Sequence, residues 1–128
     1  MSINFRALDI FDREFRKLLK KYPSLKKDFS SFQKFLEQEP TGLGIGDIER
    51  INGLGEKILL PIYKVRKFAC KSLSQNRSQS GIRIIYVYDA TTDTVEFIEF
   101  VEIYYKWDKT TEDRSRIIEI YTWKESLK

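Results

Sequence analysis

The sequence predicts an α+β fold in which a helical hairpin packs on a small, mostly antiparallel twisted sheet, with a C-terminal helix. Two observations carry this prediction. Apolar residues recur at helical spacing before residue 40, and between residues 58 and 105 they follow the pattern of strands. The length of 128 residues suits one compact domain, which we place at residues 1–128. The expected order of elements is β-α-α-β-β-β-α.

Two helices are expected after a short opening strand at Ser2–Phe5. Pro23 ends the first helix and Pro40 ends the second, because proline disfavours helical geometry in the residue before it. Ser24 is the expected N-cap of the second helix. The apolar stripes predict core packing, and they comprise Leu8, Phe11, Phe15, Leu18, Leu19 and Tyr22 in the first helix and Leu25, Phe29, Phe32 and Leu36 in the second.

Three strands and a closing helix are expected in the rest of the chain. The strands are Ile62–Phe68, Ile82–Tyr88 and Val95–Tyr105, and a polar loop at Ser72–Gly81 separates the first two. The last strand is apolar on both faces, which predicts an interior position in the sheet. The closing helix, Glu112–Leu127, places Ile117, Ile120, Tyr121 and Leu127 on one side.

Composition excludes several classes of function. The chain has no His and one Cys, Cys70, so it lacks a disulfide framework, a Cys-based zinc site and imidazole catalysis. We therefore expect no metal and no other cofactor. The sequence shows neither a signal-peptide pattern nor an apolar run of about 18 residues, so we expect a cytoplasmic protein without a membrane partner.

The net charge of +4 is unevenly distributed along the chain. Residues 57–88 hold seven basic residues and no acidic ones. Because side chains alternate along a strand, Lys64 and Arg66 share one face, and Arg83 lies on the polar side of the next strand. A basic surface fixed by strands favours a polyanion as ligand, with phosphate contacts supplying most of the affinity.

Short motifs then follow one another in a characteristic order. They are a Lys-Lys-Tyr-Pro-Ser-Leu run at residues 20–25, Ile-Tyr-Lys-Val-Arg at 62–66, an Arg-Ser…Gly loop at 77–81, Arg-Ile-Ile-Tyr at 83–86 and Glu-Ile-Tyr-Tyr-Lys at 102–106. Together they resemble the RelE/ParE superfamily of bacterial toxins from type II toxin–antitoxin modules, and in particular its RelE-like branch. The resemblance covers about residues 3–109.

The resemblance implies a RelE-like fold and a specific reaction. RelE-like toxins are ribosome-dependent endoribonucleases that cut the mRNA codon in the A site. The ribose 2′-oxygen attacks the adjacent phosphate, which gives a cyclic phosphate and a free 5′-hydroxyl without a metal. The implied partners are the ribosome, mRNA and a cognate antitoxin protein.

Such cleavage requires a base, cations around the phosphorane and an acid for the leaving oxygen. Arg66 and Arg83 suit the phosphorane, because guanidinium groups bind phosphate through two parallel hydrogen bonds. Lys64 is the candidate base, since neighbouring arginines disfavour its charged form. Lys106 is a candidate to donate a proton or hold phosphate, and the division of base and acid roles stays open.

Further residues are candidates for RNA binding rather than for chemistry. Tyr105 and Tyr121 offer rings for stacking on bases. Arg77, in the polar loop, is placed to close on the message or on ribosomal RNA. Tyr104 is out of phase with Tyr105 and is therefore assigned a structural role.

Two other readings stay open. One is a ParE-like toxin that inhibits gyrase without cleaving RNA, and the other is a degenerate toxin that only binds its antitoxin. Arg83 also has a structural alternative, an ion pair with Glu99 or Glu102. Substitution of Lys64 or Arg83 abolishes an endoribonuclease and need not affect a gyrase inhibitor. Without His, we expect little activity away from the ribosome.

Overall fold

The computed structural model describes residues 3–42, 48–73, 80–90 and 95–126. Within these ranges the chain forms three helices and one five-stranded sheet. The α+β class predicted from the sequence is therefore confirmed. In chain order the elements are β1 (Ile3–Ala7), α1 (Asp9–Lys21), α2 (Leu25–Gln38), β2 (Ile48–Arg50), β3 (Ile62–Val65), β4 (Ile82–Asp89), β5 (Glu96–Tyr105) and α3 (Arg114–Ser126).

The strands lie in the order β1-β5-β4-β3-β2. β1 runs parallel to β5 and the other neighbours are antiparallel, so the sheet is mixed. The interior position of β5 confirms the expectation drawn from its apolar faces. The opening strand extends to Ala7 rather than ending at Phe5. β2 was not predicted, because three residues are too few to show a strand periodicity.

The turn between α1 and α2 differs in one detail from its prediction. Tyr22 leaves the helix with φ −128° and ψ 81°, as expected for a residue before proline. Ser24, however, has helical backbone angles and makes no capping bond to α2. Its hydroxyl donates to the carboxylate of Asp28 at 2.8 Å and accepts from the backbone N–H of Ser72 at 2.7 Å. The turn is thus tied to the segment that follows β3.

One face of the sheet, the hairpin face, carries Ile84, Tyr86 and Phe100 and is covered by α1 and α2. Aromatic rings supply much of the packing there. The ring of Phe100 lies 5.4 Å from that of Phe11 and 4.8 Å from that of Phe29, distances at which aromatic pairs attract each other beyond simple burial. The prediction that the helical stripes form core is confirmed.

The opposite face, the α3 face, carries Ile62, Ile85 and Val87 and packs against α3. Ile117 and Tyr121 of α3 are fully buried there and Ile120 packs beside them, which confirms a closing helix with these residues on its inner side. The helix begins at Arg114 rather than at Glu112, and its outer side carries the exposed Ile118, so the two sides differ less in polarity than expected. Its predicted end, Leu127, lies outside the described residues. The sheet is therefore enclosed on both faces, with the arginine-bearing ends of β3 and β4 at its rim.

A β-bulge in β5 decides which side chains reach each face. Ile85 pairs with Glu102 and Tyr86 pairs with Phe100, so Val101 is an extra residue without a partner in β4. An extra residue shifts the alternation of all later side chains to the opposite faces. As a result Tyr104 packs on the α3 face and Tyr105 on the hairpin face.

Candidate active site

Arg66, Arg83 and Tyr104 form a row at one end of the sheet, with Arg83 in β4, Tyr104 in β5 and Arg66 directly after β3, which ends at Val65 rather than at Phe68. Tyr104 is the direct partner of Arg83 in the β4–β5 register. Arg66 follows Val65, whose partner in β4 is Ile84, so the register brings Arg66 beside Arg83. We call these three residues the arginine–tyrosine row. Their shared position confirms that β3 and β4 are neighbours and that their arginines lie together.

The positive charge of Arg83 is not neutralised by any acidic side chain in the described part of the chain. Its guanidinium donates to the backbone carbonyl of Arg66, and within the described part of the chain it makes no ion pair. The alternative pairings fail because Glu99 binds Arg6 and Glu102 binds Lys109. Like charges opposite one another on adjacent strands destabilise a sheet. Two adjacent arginines at this rim therefore favour an anion between them.

Glu49 is a member of the site that sequence reasoning missed. It lies in β2, opposite Lys64 of β3, and its carboxylate accepts hydrogen bonds from Arg66 at 2.6 Å. The side chains of Arg66 and Glu49 are 46% and 51% exposed, so this carboxylate is open to a ligand. Recognition of Glu49 required β2, which has no visible periodicity in the sequence.

Lys64 is not the exposed cation that the sequence suggested. Its ammonium group donates to Glu112 at 3.1 Å, and the two side chains are only 9% and 6% exposed. Burial alone raises the pKa of Glu112, but hydrogen bonds from Lys64 and Thr111 outweigh it and hold the pKa below its usual value. The pair is therefore ionised and buried. An ammonium group held in this way is not free to accept a proton, which corrects the assignment of Lys64 as the base.

Tyr104 has the most unusual environment in the site. It is 5% exposed, and its hydroxyl is the one buried side-chain group in the described residues without a hydrogen-bond partner. Burial, and then the carboxylates of Glu112 and Glu102, raise the pKa of this phenol far above its usual value, against the opposing effect of Arg83. The group is a neutral phenol near neutral pH. It can therefore donate a proton or a hydrogen bond.

Lys106 and Lys109 flank this end of the sheet. The backbone N–H of Lys106 donates to the carbonyl of Gly81 at 2.9 Å, which anchors the residue beside the start of β4. Its ammonium group lies 4.7 Å from the ring centre of Trp107, which is 72% exposed. The ammonium group of Lys109 binds Glu102 and lies 5.4 Å from the ring centre of Tyr104. Lys106 thus remains a candidate for holding phosphate.

The three residues predicted to bind RNA lie outside this site. Tyr105 packs on the hairpin face, with its ring 5.7 Å from that of Tyr22. Tyr121 is 1% exposed and donates to Glu99 at 2.6 Å, so its ring presents no face to a base. The bulge in β5 explains the first misassignment and the burial of α3 the second. Arg77 lies outside the described residues.

Two searches of the described residues concern other kinds of site. No group of three or more Cys, Asp or Glu side chains there is arranged to hold a metal ion. Nor does any helix in those ranges have the length and apolar character needed to cross a membrane. Within the described residues, the candidate site therefore consists of the arginine–tyrosine row and its charged neighbours.

Comparison with known proteins finds no family model, no curated protein and no solved structure that matches this chain significantly. The function of this chain is therefore inferred from its own residues, their geometry and its short sequence motifs.

Proposed function

We propose that this protein is a RelE-like toxin of a type II toxin–antitoxin system. In this proposal it is an mRNA endoribonuclease that acts on the codon in the ribosomal A site. The observation that carries the proposal is the row of Arg66, Arg83 and Tyr104. Two adjacent guanidinium groups without sufficient counter-charge suit a phosphate, and a neutral phenol beside them suits proton donation.

The proposed reaction assigns a role to each group. The carboxylate of Glu49 accepts the proton of the ribose 2′-hydroxyl, and the 2′-oxygen forms a bond to the adjacent phosphorus. Arg66 and Arg83 stabilise the charge that develops on the phosphorane. The bond from phosphorus to the 5′-oxygen breaks, and Tyr104 donates its proton to that oxygen, a step that requires its hydroxyl, which is buried in the free protein, to become exposed on the ribosome. The products are a 2′,3′-cyclic phosphate and a 5′-hydroxyl, and Lys106 holds a flanking phosphate.

Lys64 supports this site without touching the substrate. Its ion pair with Glu112 fixes the segment before α3 against β3. Because that segment also carries Lys109, the pair positions the wall of the site behind Tyr104. Lys64 is thus a positioning residue in this proposal rather than the base.

Dependence on the ribosome follows from how little of the site is open. Arg66 and Glu49 are half exposed, whereas Tyr104 and the Lys64–Glu112 pair are buried. So few open groups can bind a phosphate but cannot by themselves align a flexible message. Alignment of reacting groups contributes much of the rate in such reactions. The ribosome supplies that alignment, and the proposed regulator is a cognate antitoxin in the same bacterial cytoplasm.

The direct test is induction in bacteria, followed by mapping of new 5′ ends on a translated message by primer extension. Cuts within codons are expected with the wild-type protein and are expected to vanish when the start codon of the message is disabled. Growth arrest with intact message would overturn the proposal in favour of a non-cleaving toxin. The absence of both toxicity and cleavage would indicate a protein that only binds an antitoxin.

Paired variants test whether the arginine–tyrosine row carries out the reaction. Arg83→Ala and Tyr104→Phe are expected to remove the cuts. Lys34→Ala removes an exposed charge from α2, and Tyr63→Phe removes a hydroxyl from the hairpin face, so both are expected to cleave normally. Equal cleavage by Arg83→Ala and Lys34→Ala would contradict the assignment of the site.

A further inference from the structure

We infer that residues 107–111 form a gate, which encloses Tyr104 in the free protein and opens when a phosphate group draws Lys109 away from Glu102. This opening deepens the proposed function and rests on it for the source of the phosphate, which is the message. We call residues 107–111 the gate segment. It follows β5, precedes α3 and contains neither helix nor strand.

Tyr104 is enclosed by groups from outside its own strand. It is the last residue but one of β5, at an end of the sheet, yet it is only 5% exposed. The ammonium group of Lys109, in the gate segment, lies 5.4 Å from the centre of its ring. Burial, and then the carboxylate of Glu112 directly after the gate segment, raise the pKa of the phenol. The gate segment and Glu112 therefore lie against Tyr104 and account for part of its burial.

Both ends of the gate segment are anchored independently of Lys109. Before it, the backbone N–H of Lys106 donates to the carbonyl of Gly81 at 2.9 Å. After it, Glu112 accepts from Lys64 at 3.1 Å in an ion pair whose two side chains are buried. Between these anchors, residues 107, 108, 110 and 111 are exposed. The gate segment can therefore move without displacing β5 or α3.

The bond between Lys109 and Glu102 is the latch that holds the gate segment closed. The carboxylate of Glu102 accepts from the ammonium group of Lys109 and, at 2.9 Å, from the backbone N–H of Asp113. The side chain of Lys109 is 37% exposed, whereas that of Glu102 is completely buried. A cation that is open to solvent is weakly held and can exchange one anion for another. Lys109 is therefore the part of the latch that a ligand can release.

Glu102 keeps favourable neighbours when Lys109 leaves. The N–H of Asp113 continues to donate to its carboxylate. Burial lowers the pKa of Arg116, but the carboxylates of Glu14 and Glu102 help to raise it, so a second cation lies near Glu102. A buried carboxylate that loses all its partners is strongly destabilising. Glu102 avoids that penalty, and release of Lys109 therefore does not require the protein to unfold.

A phosphate is the anion that reverses the force on Lys109. In the free protein, Arg83 and Lys109 both lie beside Tyr104 and repel each other, which favours the position of Lys109 against Glu102. A phosphate bound by Arg83 changes the sign of the local charge and attracts Lys109, because hydrogen bonds from ammonium to phosphate are charge-assisted. The proton of Tyr104 thus becomes accessible when the phosphate is in place.

The test measures access to Tyr104 in the free protein by nitration with tetranitromethane, with each modified tyrosine located by tandem mass spectrometry. The wild-type protein is expected to be nitrated slowly at Tyr104. Glu102→Gln removes the charge that holds Lys109 but keeps an oxygen for the N–H of Asp113, and it is expected to raise the rate at Tyr104 at least about fivefold. Lys109→Gln, which opens the latch from its exposed side, should have the same effect.

Glu99→Gln is the matched control. Glu99 is also a buried carboxylate of β5, but its partners Arg6, at 3.0 Å, and Tyr121, at 2.6 Å, lie outside the gate segment. This variant is expected to leave the nitration rate at Tyr104 within about twofold of the wild-type rate. Equal rates at Tyr104 in Glu102→Gln and Glu99→Gln would overturn the inference.

Two other tyrosines separate opening of the gate segment from a damaged fold. Tyr86 and Tyr121 are 0% and 1% exposed and make no bond to the gate segment among their recorded partners, Pro40 and Glu99. Both are expected to resist nitration in Glu102→Gln and in Lys109→Gln. If all three tyrosines become reactive together in both variants, Glu102 stabilises the whole fold and the gate is refuted.

Pyrophosphate tests the proposed trigger, because it carries phosphate but no base that would shield the ring of Tyr104. At millimolar concentration it is expected to raise nitration of Tyr104 in the wild type at least about threefold, whereas sodium chloride at the same ionic strength has less effect. In Glu102→Gln, where the latch is already open, pyrophosphate should cause no further rise. The same nitration rate in the wild type with pyrophosphate and with sodium chloride would contradict the proposed trigger.

These measurements need neither ribosomes nor cleavage, so the gate and the proposed function can fail separately. If the wild-type protein cuts no message, but pyrophosphate and both latch variants expose Tyr104, the proposed function fails and the gate stands. If the wild-type protein cuts messages, but Tyr104 is nitrated equally slowly in every variant and condition, the gate fails and the proposed function stands.

Discussion

Tyr104 joins a buried ring to a hydroxyl without a partner, and this combination has a cost. A buried polar group without a hydrogen bond is destabilising by about 1–3 kcal/mol. Tyr86, by comparison, is equally enclosed but donates to the carbonyl of Pro40 at 2.7 Å. The phenol without a hydrogen-bond partner beside Arg83 is therefore the single residue that most favours the proposed role of this rim of the sheet.

Replacement of Tyr104 by Phe is expected to separate stability from activity. The free energy of unfolding should stay within about 0.5 kcal/mol of the wild-type value or rise, because no hydrogen bond is lost. Cleavage of a translated message should fall by about 100-fold or more if the phenol is the general acid. Denaturant titration and primer extension measure the two effects.

Tyr86→Phe is the matched control. It breaks the bond to Pro40 and should lose about 1 kcal/mol of stability without loss of cleavage. If Tyr104→Phe instead loses both stability and activity in the manner of a core defect, the proposed role of Tyr104 is wrong.

The buried Lys64–Glu112 pair leads to a prediction about stability and pH. Lys64→Met removes the nearest cation from the buried carboxylate of Glu112, which keeps only Thr111 and, at 3.9 Å, Arg114. This variant should cost about 3 kcal/mol, whereas Lys64→Met/Glu112→Leu should recover most of that loss. Because the hydrogen bonds from Lys64 and Thr111 hold the folded pKa of Glu112 below its ordinary value, the contribution of Glu112 to stability is present above that ordinary value and is lost as the pH falls through the folded pKa.

Urea unfolding of the wild type and of both variants, from about pH 7 down to about pH 3, measures the pair directly. The acid-dependent part of the stability should be smaller in the double variant than in the wild type. If the free energy of unfolding depends on pH in the same way in these two proteins, the Lys64–Glu112 pair does not account for the acid-dependent part of the stability.

The sequence supports residue-level prediction only where a simple period holds. Alternation along β3 and β4 correctly placed Arg66 and Arg83 on one face. The same rule failed for Tyr104 and Tyr105, because a bulge has no signature in the residue types around Val101. Glu49 and Glu112 were missed for another reason, since each reaches the site from a segment whose position only the tertiary fold defines.

Among the elements, β5 carries both the bulge and an exposed edge. β1 pairs with β5 only as far as Phe100, so beyond that residue β5 is paired with β4 on one side and has no strand on the other. Glu14 of α1 accepts from the N–H of Ile103 at 3.3 Å, and Arg116 of α3 donates to the carbonyl of Val101 at 3.4 Å. Arg116 and Glu14 also bind each other at 3.1 Å. The side chains of two helices thus replace the missing strand.

Glu14→Ala is expected to destabilise the protein by about 2 kcal/mol, because it leaves the backbone N–H of Ile103 without its partner and removes the nearest carboxylate from the guanidinium of Arg116. It should also increase self-association, since an uncovered edge is a template for pairing with another chain. Glu37→Ala, at an exposed position of α2, should change stability by less than about 0.5 kcal/mol. Thermal unfolding and light scattering test both effects, and equal behaviour of the two variants would refute the proposed role of Glu14.

The helices were predictable because their apolar stripes are long and bounded by proline. The three-residue β2 and the parallel pairing of β1 were not, since neither leaves a local pattern. The order of strands in the sheet depends on which edges meet in the packed core, and one sequence does not contain that information in readable form.

For the whole molecule, a sheet enclosed on both faces buries a large share of its phenols. Burial, and then the hydrogen bond to Glu96, raise the pKa of Tyr88 to about 12. Burial raises the pKa values of Tyr86 and Tyr121 further, and that of Tyr22 to a smaller extent. A tyrosine whose pKa is higher in the folded than in the unfolded protein stabilises the folded state at every pH below its unfolded pKa of about 10. This stabilisation is lost as the pH rises through the folded pKa.

The protein should therefore unfold in alkaline solution at a pH above about 10, with the buried phenols ionising as it unfolds. Phenolate absorbance and circular dichroism are recorded on the same samples. The absorbance change of the buried tyrosines should occur at the same pH as the loss of the native circular dichroism. Ionisation of all seven tyrosines while the circular dichroism stays native would contradict the packing described here.

The most direct test of the central claim uses purified protein and ribosomes programmed with a short message. Cleavage is expected in the A-site codon only when ribosomes are present, with a 5′-hydroxyl and a 2′,3′-cyclic phosphate at the new ends. Arg83→Ala is expected to reduce the single-turnover rate by at least about 100-fold, while Lys34→Ala leaves it unchanged. An intact message, or equal cleavage with and without ribosomes, would contradict the proposed function.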